Sequence, residues 1–246
     1  MTTLAVEGDV DRLAAQWARI GAAFNAAPSA STPDLERLLI ETVRRAPADA
    51  RLFIMAGTWL CRYGGLVARH RLRRLAIHEL NRHERPVLGL LLDLVRREAR
   101  TAHFNEVIAA CREHADVDVA EPLFDIYRRR PALVESLRRR ATAISRLWGR
   151  LCEAIVFKFD ALRPARWIIR MNPSFRTRAD LGGDLRCSIL ETLAAEPDAG
   201  ASESALARAC GVTRRAVHAA LDHLILAGRV DAIADGRRRH IVLAGA

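Results

Sequence analysis

Three side chains at the start of one helix-forming stretch suggest most of the chemistry in this sequence. Residues 211–230 read GVTRRAVHAALDHLILAGRV, with Arg214, Arg215 and His218 at the leading end. At helical spacing, these side chains lie on the face opposite an apolar stripe. Arginine can donate two parallel hydrogen bonds to an acceptor pair such as guanine O6 and N7, and a helix N-terminus attracts phosphate. The pattern therefore indicates a surface for base edges and phosphates.

Three helices and a hairpin are predicted to position these side chains. Two helices are expected within 184–197 and 202–211, the second capped by Ser202. Thr213 is the predicted N-cap of the third helix, and Gly228 its left-handed end. The apolar stripe of the third helix is spaced i, i+3, i+4, i+7 and consists of Val217, Ala220, Leu221 and Leu224.

The last part of the chain predicts a β-hairpin. Two short alternating runs, 229–234 and 237–244, lie on either side of Asp235-Gly236. An Asp-Gly pair between such runs is a strong hairpin signal. The order of elements is then helix, helix, tight turn, helix and hairpin.

This order and these residues resemble a known family. The string LARACGVTRRAVHAALDHLILAGRVDAIADGRRRHIVL is similar to the DNA-binding domain of bacterial winged helix-turn-helix regulators of the ArsR and MarR type. The resemblance covers about 65 of the 246 residues. The lead-in NPSFRTRADLGGDLRCSIL also resembles a stretch that precedes this domain in some bacterial regulators. The matching positions are Leu206, Ala207, Gly211, Val217, Leu221, Leu224, Ala227 and Gly228, followed by the hairpin.

The resemblance implies how the domain would contact DNA. Helix 213–227 would lie in the major groove, and the wing at 235–240 would contact the backbone or the minor groove. The side chains implied in DNA contact are Ser204, Thr213, Arg214, Arg215, His218, Arg237, Arg238 and Arg239. Winged helices also serve as protein-interaction modules, so this alternative stays open.

The positive charge of the chain is unevenly distributed. The net charge is +10, yet residues 181–246 contain eight arginines and eight acidic residues. Residues 120–180 contain 14 basic and 6 acidic residues, including arginine triplets at 128–130 and 138–140. This segment could supply salt-dependent contacts to a nucleic-acid backbone. Alternatively, it is a solvated helix face with local ion pairs to Asp125 and Glu135.

Residues 1–180 are predicted to form an all-helical domain, with the boundary near residue 180. Its longest predicted helix covers 132–157, where an apolar seam with coiled-coil spacing indicates either dimerisation or packing inside the domain. No sequence family is recognised here. The expected architecture is mainly α, with the helical domain followed by a winged helix-turn-helix at 181–246.

Several functional classes find no support in the sequence. The five cysteines are far apart and form no C-x-x-C pair, which indicates reduced thiols in a cytoplasmic protein. The N-terminal residues lack the pattern of a signal peptide, and no apolar run is long enough to span a bilayer. We find no metal-binding, nucleotide-binding or hydrolase motif, so neither enzymatic activity nor a cofactor or metal is expected.

The resemblance and the arginine pattern together predict a sequence-specific DNA-binding transcriptional regulator of the repressor type. Its partner would be double-stranded DNA, contacted by a homodimer because two half-sites require two copies. The helical domain would dimerise, sense an effector or bind a partner protein. The alternative is a DNA-binding or antitoxin-like subunit of a toxin–antitoxin or phage-defence complex, whose helical domain binds another protein.

Overall fold

The computed structural model describes residues 2–113, 120–128, 130–235 and 238–245. In these residues the chain is mainly helical and has a small antiparallel sheet near the C-terminus, which confirms the mainly α fold class. The α-helices are α1 Thr2–Arg19, α2 Leu35–Arg45, α3 Ala50–Tyr63, α4 Arg69–Glu79, α5 Arg85–Glu98, α6 Asn105–Glu113, α7 Asp125–Arg128, α8 Pro131–Arg140, α9 Ala143–Leu147, α10 Ala165–Met171, α11 Phe175–Leu181, α12 Leu185–Ala195, α13 Glu203–Cys210 and α14 Arg214–Leu226. The strands are β1 Glu121–Pro122, β2 Arg150–Leu151, β3 Val230–Asp235 and β4 Arg238–Leu243.

The chain forms two compact units. Unit 1 comprises Met1–Gly64 and Leu75–Arg176, and unit 2 comprises Gly65–Arg74 and Thr177–Ala246. The predicted division at residue 180 therefore lies slightly inside unit 2, and it omits the segment Gly65–Arg74. This segment belongs to unit 2 because its backbone bonds there: the amide of Gly183 donates to the carbonyl of Gly65 at 2.7 Å.

Unit 1 is built around buried tryptophans whose indole N–H groups are all satisfied. Trp17 and Trp59 pack edge to face, with ring centroids 5.8 Å apart. Trp17 Nε1 donates to Thr42 Oγ1 at 2.8 Å, and Trp59 Nε1 donates to the Ile20 carbonyl at 2.8 Å. These bonds fix the rings, because a buried indole N–H without an acceptor would carry a desolvation cost.

A buried carboxylate organises another part of the unit 1 core. Asp93 on α5 is 1 % exposed, and its Oδ2 accepts a hydrogen bond from Trp148 Nε1 at 3.1 Å. Arg96, Arg97 and Arg112 place guanidinium groups within 4.0 Å of the same carboxylate. The carboxylate is therefore both paired and hydrogen-bonded, as a buried charge must be.

Two predictions for residues 1–180 are wrong. The region is not all-helical, because β1 and β2 form a short parallel pair. The helix predicted over 132–157 is also interrupted: α8 ends at Arg140, and Thr142 caps a separate helix by accepting a hydrogen bond from the Ser145 amide. A threonine side chain that binds the backbone locally competes with helix continuation.

The apolar seam of 132–157 is thus divided among several elements. Leu137, Ala141 and Leu151 form one small buried cluster, with Ala120 and Tyr127 against it. Consequently the seam does not form one face of a single helix, and it gives no basis for a coiled-coil dimer.

Unit 2 has the helix order and hairpin predicted from the sequence. Helices α12, α13 and α14 precede β3, which pairs with β4 in an antiparallel register from Val230–Leu243 to Asp235–Arg238. Its core combines residues from all five elements: Ile189, Leu190, Leu193, Leu206, Ala207, Cys210, Val217, Ala220, Leu221, Leu224, Val230 and Ile241. The predicted stripe of α14 is fully contained in this core.

All five cysteines lie among the described residues and are free thiols. Burial raises the pKa of Cys61, Cys111 and Cys187 to about 12, and that of Cys152 to about 11. Because the thiolate is the reactive form, burial lowers the reactivity of these thiols near neutral pH relative to that of an exposed cysteine.

Candidate nucleic-acid interface

Helix α14 separates an apolar face from a polar one. Val217, Leu221 and Leu224 are almost completely buried, whereas Arg214, Arg215 and His218 are exposed. The side chain of Arg214 is 72 % exposed. Unit 2 therefore leaves its two leading arginines open to solvent, on the face that the sequence predicted.

The turn that leads into α14 is held by local caps. Ser202 Oγ accepts from the Ala205 amide at 3.1 Å and begins α13, and Thr213 Oγ1 accepts from the Ala216 amide at 3.3 Å and begins α14. Both predicted N-caps are confirmed. Gly211 ends α13 with a left-handed backbone, φ +71°. These caps satisfy amides and carbonyls that a short helix leaves without intrahelical partners.

An arginine from the segment Gly65–Arg74 also supports the turn. Arg74 Nη1 donates to the carbonyls of Arg208 and Ala209, at 3.4 and 3.2 Å, at the C-terminal end of α13. A cation at this position satisfies free carbonyls and is favoured by the helix dipole. Local sequence patterns do not indicate this role of Arg74, since the contact joins residues more than 130 positions apart.

Glu203 is a second residue at this turn whose role is not evident from local sequence patterns. It lies at the start of α13, and each of its carboxylate oxygens has one partner on α14. Arg214 Nε donates to Oε2 at 3.1 Å, and His218 Nδ1 lies 3.0 Å from Oε1. The hydrogen bond to His218, followed by that to Arg214, lowers the pKa of Glu203 below its usual value. The carboxylate therefore stays ionised well into the acidic range.

The hairpin contributes Arg239 to the same surface. Glu203, Arg214, Arg215, His218 and Arg239 line a shallow open depression of about 490 Å³. Arg239 lies on β4 opposite Ala234 on β3 and is exposed. Among the described residues, basic side chains thus form most of the lining, and Glu203 is the carboxylate that lines it.

The remaining predicted contact residues have different positions. Ser204 and Thr213 are exposed near the same end of α13 and α14, although the Thr213 hydroxyl already accepts the capping bond. The backbone of Arg238 lies on β4, but its side chain is outside the described part of the chain, as is the whole of Arg237. Ser204 and Thr213 remain predicted phosphate contacts.

The basic segment 120–180 forms local ion pairs. Arg128 Nε lies 3.4 Å from Asp125, and Arg138 Nη1 lies 4.0 Å from Glu135. Arg140 pairs with Glu153 at 3.0 Å. The two ion pairs expected for a solvated helix face are therefore present, and part of the charge excess is neutralised within unit 1.

Comparisons with known proteins add nothing to this geometry: no family model, no curated protein and no solved structure matches the chain. Among the described residues, no group of three or more metal-binding side chains could hold an ion. In the same residues, no helix has the length and apolar character that crossing a bilayer requires.

Two glycines, Gly211 before α14 and Gly228 after it, allow a prediction with a matched control. Gly211 and Gly228 both have left-handed backbones, so alanine costs about 1–2 kcal/mol at either position. A Cβ at Gly228 would meet open space, whereas at Gly211 it would lie 2.4 Å from Arg74 Cδ. We therefore expect Gly211→Ala to destabilise unit 2 by about 1–2 kcal/mol more than Gly228→Ala, because Arg74 must release charge-assisted hydrogen bonds. Urea denaturation followed by far-UV circular dichroism measures both losses, and equal losses would contradict the role of Arg74.

Proposed function

We propose that unit 2 is a winged helix-turn-helix and that the protein is a sequence-specific DNA-binding transcriptional regulator of the repressor type. Helix 213–227 would bind in the major groove, and the wing at 235–240 would contact the backbone or the minor groove. The observation that carries the proposal is the exposed leading turn of α14, where Arg214 and Arg215 border one depression with Arg239 of the hairpin.

The charge arrangement supports this function although residues 181–246 contain equal numbers of basic and acidic side chains. Basic side chains surround the depression, and Glu203, its only carboxylate among the described residues, is already paired with Arg214. A protein surface that binds DNA needs positive charge only where the phosphates approach. In the described residues, no carboxylate lies within ion-pair distance of Arg215, which leaves it free for DNA.

The proposal is tested by selecting binding sites from a random DNA library and measuring affinities at two salt concentrations. We expect the chain to enrich a defined motif. Arg214→Ala and Arg215→Ala should each reduce the preference for one base about 5- to 150-fold, whereas Arg239→Ala should weaken all sequences alike and lower the salt slope by about 1.

Arg229→Ala is the matched control for these variants. Arg229 is exposed beyond the opposite end of α14, so its replacement removes the same charge without altering the depression. We expect it to keep both the motif and most of the affinity. Absence of any enriched motif for the unaltered protein would remove the proposed function.

In a second candidate function, unit 1 binds a partner protein. Its surface exposes large apolar side chains, including Ile126, Leu147 and Val156, which a partner protein could cover. This favours the alternative of a DNA-binding or antitoxin-like subunit in a toxin–antitoxin or phage-defence complex. Purification followed by sedimentation distinguishes the two proposals. A regulator would sediment as the homodimer that two half-sites require. A subunit would instead co-purify with a protein encoded beside it.

A further inference from the structure

Glu203 is largely buried and makes two contacts with a neighbouring helix, which a carboxylate that only caps a helix or solvates a surface would not need. It comes directly after the N-cap Ser202, and its side chain is only 12 % exposed although it lies at the start of a surface helix. Both oxygens bind across to α14, one to Arg214 and one to His218. The carboxylate thus connects the first helix of the turn to the polar face of the second.

The bond to Arg214 uses one particular nitrogen. A guanidinium has five N–H donors, and Glu203 occupies the one on Nε. Within the described part of the chain, no hydrogen bond occupies the four donors on the two terminal nitrogens, and the side chain is 72 % exposed. The hydrogen bond at Nε restricts the orientation of the guanidinium plane. The two terminal nitrogens, which form the Arg214 fork, therefore lose less conformational freedom when they bind a pair of acceptors.

The bond also changes which acceptors Arg214 favours. The charges of Arg214 and Glu203 nearly cancel at a distance, and the carboxylate repels a phosphate that approaches the pair. A neutral base edge meets no such repulsion and still gains two hydrogen bonds from the fork. Arg215 differs, because no carboxylate among the described residues pairs with it.

We infer that Glu203 is a positioning residue that directs the Arg214 fork to a guanine and away from the phosphate backbone. The inference rests on the proposed function and names the residue that gives one of its contacts base selectivity. Glu203 acts through Arg214 and needs no contact of its own with DNA.

Selection from a random library tests this inference with four proteins: the unaltered chain, Glu203→Ala, Arg214→Ala and the double variant. Glu203→Ala removes the oxygen that accepts from Arg214 Nε. We expect it to reduce the preference for one guanine about 5- to 150-fold, since that is the discrimination of a bidentate arginine–guanine contact. Its affinity for random DNA should be unchanged or higher, because a negative charge is lost. Arg214→Ala should lose the same preference, and the double variant should lose no more than Arg214→Ala alone.

Two controls separate positioning from charge and from folding. Asp198→Asn removes a carboxylate from an exposed position elsewhere in unit 2 and should leave the guanine preference intact. Arg215→Ala should change a different base position, with an effect that adds to that of Glu203→Ala. If Glu203→Ala fails to give a native circular dichroism spectrum, Glu203→Gln replaces it: the amide keeps an oxygen that can accept from Nε but loses the charge, and the guanine preference should fall by a smaller factor.

The possible failures are distinguishable. If the unaltered protein enriches a motif that depends on Arg214, but the folded Glu203 variant enriches it with the same preference, the inference is overturned and the proposed function stands. A double variant that loses more guanine preference than Arg214→Ala would also overturn it, because Glu203 would then act independently. If the unaltered protein enriches no motif, both fall together.

Discussion

Replacing Arg178 with alanine is expected to lower the free energy of unfolding of unit 2 by about 3 kcal/mol. Arg178 is 5 % exposed and binds Glu191 through two parallel hydrogen bonds of 2.7 Å each. Its third contact is the carbonyl of Leu66, at 3.0 Å. The variant leaves a partly buried carboxylate and a carbonyl without their cation, and removing one partner of such a pair costs more than the pair itself contributes.

Far-UV circular dichroism during urea denaturation measures this loss, and Arg229→Ala is the control. Arg229 belongs to the same unit and is exposed, so its replacement removes the same charge and side chain without a buried partner. Its effect should stay within about 0.5 kcal/mol. Similar losses for the two variants would show that the bidentate pair contributes little to unit 2.

Replacing Asp93 with alanine is expected to destabilise unit 1 by about 3–5 kcal/mol. The variant removes the acceptor for Trp148 Nε1, whose ring is buried, and brings Arg96, Arg97 and Arg112 together without their shared carboxylate. Asp93→Asn keeps an oxygen for the indole but loses the charge, so we expect an intermediate effect.

Tryptophan fluorescence is the appropriate measurement, because Trp17, Trp59, Trp148 and Trp167 all belong to unit 1. Glu98→Ala serves as the control, since it removes one negative charge from an exposed position on the same helix. An Asp93→Ala protein whose fluorescence midpoint matches that of Glu98→Ala would contradict the structural role of the buried carboxylate.

Local signals predicted the helix caps and the buried stripe of α14, and long-range contacts explain the residues that these signals missed. The caps at Ser202 and Thr213 and the buried stripe of α14 depend on residues within a few positions of one another, so spacing alone reveals them. Glu203 contacts partners 11 and 15 positions away, and Arg74 contacts α13 from more than 130 positions away. Only the folded chain brings these residues together.

The failed prediction over 132–157 has a different cause. Apolar residues at intervals of three and four are compatible with one long helix, but they do not exclude several short elements that bury the same residues separately. The capping side chain of Thr142 and the strand at β2 decide between these outcomes. Neither changes the periodicity, so the pattern of apolar residues could not reveal the interruption.

Because Gly65–Arg74 belongs to unit 2, residues from Thr177 onward do not contain a complete folding unit. A fragment that begins at Thr177 would lack both the carbonyl that receives Arg178 and the guanidinium that closes the end of α13. Limited proteolysis followed by isolation of the C-terminal piece should therefore yield a poorly folded product. During synthesis, the ribosome releases the early segment long before the residues it must join, so the second unit can complete its fold only after α13 and the residues that follow it have been released.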